Sequence, residues 1–202
     1  MATQLRSTSQ GKLLILKLES DDGLPRIERS VLAGIDSQVR GLAAAREFDG
    51  CVGCVITGME RAFAVGAEIG ELARLTPGEA HEFSREGQRV MRAIERSRAP
   101  VIAAIRGYCM GGGLDLALAC HARIAAPDAV FAHPGGALGI LTGWGGTQRL
   151  GRLIGRGRAL EMLATGRKIY APEALGAGLI REICSADGLL VAAQRLACGR
   201  AG

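Results

Sequence analysis

The stretch "PVIAAIRGYCMGGGLDLALAC", from Pro100 to Cys120, contains two successive patterns that indicate the fold. The apolar run that ends at Gly107 is typical of a strand covered on both faces of a sheet. The run Gly111–Gly113 then predicts the start of a helix, in which Asp115 is the one acid among apolar residues. Such glycines permit either tight packing of a helix on a strand or close approach of the backbone to a ligand.

The same alternation of strands and helices is predicted along the rest of the chain. Apolar runs predict further strands at residues 12–18, 51–58, 122–127, 129–134 and 178–185. Helical periodicity predicts helices at about residues 31–42, 79–97, 146–155, 158–165 and 189–197. The segment from Met59 to Leu72 is predicted to be a loop. We therefore expect one α/β domain over residues 1–202, with a largely parallel sheet.

The composition is that of a folded globular chain. Hydrophobic residues make up 48% and charged residues 22% of its 202 residues, enough for a sizeable core. The net charge is +5, and the arginines between Gln148 and Met162 have no aromatic residues among them, so nucleic-acid binding is not expected. Arg106 and Asp115 interrupt the longest apolar stretch, so no membrane span is expected. We expect a cytoplasmic protein.

The six cysteines do not indicate a metal site. Cys51 and Cys54 form a C-x-x-C pattern, but both belong to a predicted strand, on which residues three apart point to opposite faces. No second pair of cysteines or histidines completes a ligand set. We expect the cysteines to be small core residues and the chain to hold no metal.

Two glycine-containing bends follow two of the predicted strands. The first contains Gly66 and Ala67, and the second contains Gly111–Gly113. Ligands of parallel α/β sheets bind beyond the carboxyl ends of the strands, which is where both bends lie. Backbone N–H groups from the two bends would make an oxyanion hole if they met at one point. Tight helix–strand packing explains the glycines equally well.

Four segments, in this order, resemble the crotonase (enoyl-CoA hydratase/isomerase) superfamily. They are "ITGMERAFAVGAEIGEL", "APVIAAIRGYCMGGGLDLALACHARIAA", "FAHPGGALGILTGWGGTQRL" and "ATGRKIYAPEALGAGLIREI". The resemblance runs from about Val55 to the end of the chain. It implies an α/β fold of the crotonase-like type, a spiral of ββα units with mostly parallel sheets. It also implies a role in fatty acid metabolism, with an acyl-CoA thioester as ligand, coenzyme A as part of the substrate and no tightly bound cofactor.

The resemblance also implies roles for individual residues. The two N–H groups that stabilise a thioester enolate fall on Ala67 and Gly112, and Asp115 takes the position of the first catalytic glutamate. The backbone that meets coenzyme A falls on Ala64, Val65, Gly66 and Ala67. The substrate pocket falls on Gly111, Gly112, Gly135, Leu138 and Trp144.

One position departs from the pattern of the superfamily's hydratases. Gly135 stands where they carry the second catalytic glutamate, and glycine has no side-chain proton to give or take. Three hypotheses follow. In the first hypothesis the chain is a lyase or isomerase of the enoyl-CoA hydratase/isomerase type that uses Asp115 as its acid/base. In the second it is a weak or inactive relative that binds acyl-CoA or assembles with another protein. In the third hypothesis His133 assists a different reaction, such as decarboxylation or C–C hydrolysis.

The resemblance further implies a homo-oligomer, a trimer or a hexamer. Superfamily members usually continue beyond the segment "QRLACGRAG" into helices that cover the active site and form trimers. The expectation is that this chain lacks that C-terminal extension.

Overall fold

The computed structural model describes residues 2–44 and 53–199. Strands and helices are numbered below in chain order. Cys51, one half of the C-x-x-C pattern, lies outside the described residues. Cys54 is fully buried in the core, as expected.

Among the described residues, six strands form the larger of two sheets. In spatial order they are β1 (Gln4–Gln10), β2 (Leu13–Glu19), β3 (Gly53–Thr57), β5 (Val101–Ile105), β7 (Ala122–Ala125) and β10 (Glu182–Ile183). Strands β1 and β2 pair antiparallel, and the other neighbours pair parallel. The prediction of an α/β fold with a largely parallel sheet is confirmed.

The smaller sheet contains four short strands of the described residues. In spatial order they are β4 (Ala62–Ala64), β6 (Tyr108–Met110), β8 (Val130–Ala132) and β9 (Ile169–Tyr170). Strand β9 is antiparallel to β8, whereas β4, β6 and β8 run parallel to one another. The carboxyl ends of β4 and β6 therefore lie side by side.

Glycines allow the chain to pass from the larger sheet to the smaller one. Gly58 follows β3, and Gly107, with a φ of +55°, follows β5. A Cβ atom at Gly58 would overlap the backbone of Phe63, and one at Gly107 would overlap the backbone of Arg61. Each transition thus depends on a residue without a side chain, and a helix follows each pair of strands to complete a ββα unit.

Eight α-helices and one 3-10 helix lie among the described residues. They are α1 (Arg29–Ala44), α2 (Ile69–Leu72), α3 (Pro77–Glu95), α4 (Gly112–Ala119), α5 (Gly146–Ile154), α6 (Arg156–Thr165), α7 (Ala171–Gly176) and α8 (Leu189–Cys198), with a 3-10 helix at Pro134–Leu138. Helix α3 begins with a capping box in which Thr76 and Glu79 bond to each other's backbone N–H groups. No helix within the described ranges has the length and apolar character needed to span a bilayer.

Strand β5 is buried on both faces, as its apolar run predicts. Val101, Ala103 and Ile105 belong to the main core cluster, which includes residues of α1, α3 and α4. Ile102 and Ala104 belong to a second cluster with residues of α8. The side chains of β5 therefore alternate between two cores on opposite sides of the sheet.

The segment from Met59 to Leu72 is more ordered than the predicted loop, since it contains β4 and the short helix α2. Strands β1, β6 and β9 and helix α7 were not predicted either. Strand β1 has the polar sequence "QLRSTSQ" and is mostly exposed at the edge of its sheet. Such short or polar strands are specified by their neighbours in the sheet, so local sequence does not indicate them.

Arg123 of β7 connects three parts of the core. Its side chain is 8% exposed and donates hydrogen bonds to the carbonyl oxygens of Leu179 (2.8 Å), Cys120 (2.8 Å) and Ala117 (3.3 Å). These contacts hold the end of α4 and the chain before β10 against the sheet. Burial lowers the pKa of its guanidinium group below the ordinary value for arginine.

We predict that Arg123→Met lowers the free energy of unfolding by about 2–3 kcal/mol, because three buried carbonyl groups lose a charged donor. Urea denaturation measures this change. The control is Arg85→Met on the exposed face of α3, which is expected to change stability by no more than about 0.5 kcal/mol. Equal effects of the two substitutions would show that Arg123 does not hold these elements together.

Candidate active site

The two glycine-containing bends meet beyond the neighbouring ends of β4 and β6. Gly66 has a φ of +102°, and the position of a Cβ atom there lies 3.2 Å from the Gly112 nitrogen and 3.3 Å from the Met110 oxygen. A Cβ atom at Gly113 would overlap the Ala64 carbonyl group. Because these glycines have no side chains, the two backbones touch. The glycines therefore allow tight packing and also bring the bend before α2 next to the N-terminus of α4.

The contact brings two backbone N–H groups to one cavity. Ala67 follows Gly66, and Gly112 is the first residue of α4. Neither N–H group donates a hydrogen bond to another residue in the described part of the chain. The N-terminus of a helix favours negative charge, so the end of α4 provides a suitable environment for an anionic oxygen.

The cavity has a volume of about 370 Å³ and lies where the sequence predicts the site. Of the predicted site residues, it brings together Val65, Gly66, Ala67, Gly111, Gly112, Asp115, His133, Gly135, Leu138 and Trp144. Ala64 does not line the cavity, because it is fully buried in β4. Lining residues that the sequence did not indicate include Leu72, Phe83, Ser84, Ile140, Leu141, Thr142 and Leu163.

Asp115 lies one turn into α4 and its side chain is fully buried. The Thr142 hydroxyl group donates a hydrogen bond to its Oδ2 atom. Burial raises the pKa of Asp115 from 3.8 to about 6, although the Thr142 hydrogen bond, the charge of Arg149 and the nearby amides of Trp144 and Gly146 act in the opposite direction. A carboxyl group with this pKa can exchange a proton close to neutral pH.

His133 follows β8 and faces the same carboxyl group. Its side chain is buried, and its Nε2 atom lies 3.6 Å from Asp115 Oδ1. Neither of these two atoms has a hydrogen-bond partner among the described residues. Burial lowers the pKa of His133 from 6.5 to about 4, so its imidazole ring is neutral at pH 7. The cavity thus holds one carboxylate oxygen, Asp115 Oδ1, and one imidazole nitrogen, His133 Nε2, that face each other without a hydrogen-bond partner among the described residues.

Gly146, the first residue of α5, makes room for this pair. A Cβ atom there would overlap Asp115 Oδ1 and lie 3.0 Å from His133 Nε2. A larger residue at position 146 would displace both groups. The contact between Asp115 and His133 therefore depends on the start of α5 as well as on α4 and the residue after β8.

Gly135 lies in the 3-10 helix, in a place that has no room for a side chain. A Cβ atom at Gly135 would lie 2.5 Å from the Ile140 carbonyl oxygen. The Gly135 carbonyl oxygen also accepts a hydrogen bond of 2.8 Å from the Ile140 N–H group. A side chain at position 135 would therefore meet the backbone of this segment at Ile140.

The segment that carries Thr142 and Trp144 is attached to α3. Ser84 and Gln88 each donate a hydrogen bond of 2.8 Å to the Gly143 carbonyl oxygen. Thr142 was not predicted as a site residue, because it is 27 positions away from Asp115 and only the fold brings them together. Within residues 2–44 and 53–199, no group of three or more histidine, cysteine and acidic side chains could hold a metal ion.

We predict that Asp115→Asn stabilises the protein at pH 7. A carboxyl group whose pKa is raised from 3.8 to about 6 binds its proton more tightly in the folded state, so its ionisation lowers stability as the pH rises from about 4 to about 6. An amide avoids this loss, which corresponds to at most about 3 kcal/mol for a shift of about two pKa units. Urea denaturation at pH 4 and at pH 7.5 measures the difference.

The gain from Asp115→Asn is expected at pH 7.5 and not at pH 4, where the native carboxyl group is protonated. His133 has the opposite dependence, because its lowered pKa makes the folded state more stable as the pH rises from about 4 to about 6.5. Its imidazole ring is neutral in both proteins at pH 7.5, where the gain is expected. A gain of equal size at both pH values would contradict the raised pKa of Asp115.

The chain matches the family model for enoyl-CoA hydratase/isomerase over residues 35–199. It is 44% identical over 144 residues to a crotonyl-CoA hydratase from Syntrophomonas wolfei, an alignment that covers 71% of this chain and 55% of that protein. It is 33% identical over 189 residues to a short-chain-enoyl-CoA hydratase from Clostridium acetobutylicum, covering 93% of this chain and 71% of that one.

The fold matches that of solved enoyl-CoA hydratases. The structure of the enzyme from Bacillus anthracis superimposes with a TM-score of 0.88 at 31% identity, covering 100% of this chain and 77% of that one. The crotonase-like fold that the sequence segments imply is therefore confirmed. Because the family model covers most of the chain and the likeness extends to the fold, this chain belongs to the enoyl-CoA hydratase/isomerase family.

Proposed function

We propose that this chain binds acyl-CoA thioesters and stabilises a thioester enolate with the N–H groups of Ala67 and Gly112, using Asp115 as acid/base. The observation that carries the proposal is the contact between the two glycine bends beside Asp115. At this contact the N–H groups of Ala67 and Gly112 have no hydrogen-bond partner among the described residues, and both residues line the cavity that Asp115 also lines. The proposed reaction is hydration or isomerisation of an enoyl-CoA.

The two N–H groups provide the electrostatic part of the mechanism. When a nucleophile adds to the double bond of an enoyl thioester, the electron pair moves onto the thioester oxygen. Donors that are already in place at that oxygen stabilise the negative charge without reorganisation. The N-terminus of α4 adds a favourable potential, because Gly112 is its first residue.

Asp115 provides the proton-transfer part. At pH 7 its carboxyl group, with a pKa of about 6, is mostly ionised and accepts a proton from water. The resulting hydroxyl group bonds to the β-carbon, and the α-carbon of the enolate then takes the proton from Asp115. In this mechanism one carboxyl group both removes and returns the proton, since Gly135 has no side chain.

Coenzyme A is expected to contact the backbone that leads up to Ala67, the residue with the first N–H donor. Val65, Gly66 and Ala67 line the cavity, so their backbone is accessible from it. The contact predicted for Ala64 remains a prediction, since that residue is buried behind them. Support for the ligand class comes from relatives whose names specify crotonyl-CoA and short-chain enoyl-CoA as substrates. The expected homo-oligomer and the absence of a tightly bound cofactor are also part of this proposal.

We predict that Asp115→Asn lowers kcat for hydration of crotonyl-CoA at least about 10²-fold, the lower end of the range for a general acid/base. The Kd for butyryl-CoA should change little, since the N–H donors remain. In the native protein kcat should rise with pH through about 6, because the ionised carboxylate is the base. Steady-state kinetics and calorimetric titration measure these quantities.

The matched control is Asp187→Asn, which changes an exposed carboxylate before α8 and should leave both constants unaltered. Full hydration activity in Asp115→Asn would refute the role of Asp115. Binding of acyl-CoA without turnover of any substrate would favour the second hypothesis, a binding or assembly protein.

The position of His133 supports a second candidate, C–C hydrolysis or decarboxylation of a β-keto substrate. Its neutral Nε2 atom faces Asp115 without a hydrogen-bond partner among the described residues. In C–C hydrolysis, water loses a proton to this nitrogen, the hydroxyl group adds to a carbonyl carbon, and the C–C bond breaks. The electron pair forms an enolate that the two N–H groups stabilise, and the imidazolium returns the proton to carbon.

His133→Gln separates the two candidates, with the exposed His81→Gln as its control. If His133 is the base, cleavage of β-diketone and β-keto-acyl-CoA substrates should fall at least about 10²-fold. If Asp115 works alone, crotonyl-CoA hydration should stay within about tenfold of the native rate, since only a neighbour of the base is changed. Product analysis by mass spectrometry identifies the reaction. Cleavage that survives in His133→Gln would exclude His133 as its base, and a native protein that cleaves neither substrate would exclude the second candidate.

A further inference from the structure

The single tryptophan of the chain fills the space beside the second N–H donor. Trp144 is 4% exposed and lies between two glycines, Gly87 of α3 and Gly112 of α4. A Cβ atom at Gly112 would lie 2.5 Å from its Cζ3 atom, and one at Gly87 would overlap the five-membered part of the indole ring. The two glycines thus form a slot for the indole.

Several contacts fix the indole in this slot. Phe83 packs against it edge to face, with ring centroids 5.3 Å apart and an interplanar angle of 68°. Arg149 donates a hydrogen bond of 2.8 Å to the Trp144 carbonyl oxygen and forms an ion pair with Glu95. With the backbone and the ring both held, the indole forms a rigid wall of the cavity.

The glycine at position 87 indicates that the slot is shaped for the Trp144 indole. A glycine inside a helix lowers helix stability, and Gly87 lies in the middle of α3. Alanine would be the better helix former, but its methyl group would overlap the indole. The presence of glycine at this position is explained by the need to accommodate Trp144.

We propose that the Trp144 indole limits the acyl group of the ligand to short chains. This inference rests on the proposed function, in which the Gly112 N–H group binds the thioester oxygen. The carbon atoms of the acyl group then begin beside Gly112, where the six-membered ring of the indole lies. The cavity, about 370 Å³, is near the lower end of the range of about 300–1,000 Å³ for small-molecule sites.

The rest of the wall suits an apolar acyl chain. Leu72, Phe83, Leu138, Ile140 and Leu163 contribute apolar surface around the indole. Removing the indole would join the space between Gly87 and Gly112 to this cavity. That space lies deep against α3, where additional methylene groups of a longer chain would be buried.

The test compares Trp144→Phe and Trp144→Ala with the native protein. Calorimetry measures the Kd of acetyl-, butyryl-, hexanoyl- and octanoyl-CoA, which requires no turnover. In the native protein, affinity should rise with chain length and then fall at the longer chains. In Trp144→Ala the ratio of octanoyl to butyryl affinity should increase at least tenfold, since each buried methylene group is worth about fourfold in affinity. Trp144→Phe, which keeps a ring against Phe83, should be intermediate and guards against a folding defect in the alanine variant.

Two further measurements use the features of the slot. Titration of the native protein with butyryl-CoA should change the emission of its one tryptophan, whereas coenzyme A without an acyl group should not. Gly87→Ala should push the indole towards Gly112 and weaken binding of hexanoyl-CoA more than that of acetyl-CoA. Leu160→Ala on the exposed face of α6 is the surface control and should leave every Kd unchanged.

The possible results separate this inference from the function on which it rests. If the native protein binds no acyl-CoA, the proposed function fails and this inference fails with it. If the native protein binds acyl-CoA and the chain-length profile is the same in both Trp144 variants, the function stands and Trp144 is only a packing residue. A shift of the profile towards longer chains in Trp144→Ala supports the inference.

Discussion

The close contact between the backbone segments after β4 and β6 is the constraint on which the site depends. It requires that Gly66 and Gly113 have no side chains, since a Cβ atom at either would meet the opposite backbone. Because β4 and β6 are parallel neighbours, both chains leave the sheet at the same edge. Helix α4 starts at this contact, so Asp115 lies one turn after the N–H group of Gly112, in a cavity that Ala67 also lines. The contact that packs these two backbone segments together is therefore the same contact that forms the site.

The same arrangement explains why an acid occurs in an apolar helix. Asp115 must reach the cavity from α4, and α4 is buried between the sheets and α3. Desolvation destabilises the ionised carboxylate, while Thr142 and the N-terminal region of α5 partly compensate. The protein thus tolerates a local loss of stability at the position where a proton can be exchanged near neutral pH. His133 adds a second buried titratable group whose dependence on pH has the opposite sign.

The sequence allowed prediction of the elements whose signal is local. The apolar run of β5 and the periodicity of α1 and α3 indicated these elements, and the glycine bends indicated the place of the cavity. Strand β1 is polar and β6 has only three residues, so both depend on pairing partners that are distant in sequence. Thr142 could not be predicted because its contact with Asp115 arises from folding. The crowding at Gly135 was equally invisible, since it comes from a carbonyl group five residues later.

That crowding has a consequence for the engineering of this chain. The position of a Cβ atom at Gly135 lies 2.5 Å from the Ile140 carbonyl oxygen. A glutamate introduced at position 135 would therefore require the 3-10 helix and the segment after it to be rebuilt together with the substitution. At this position the path of the backbone limits which side chain the protein can carry.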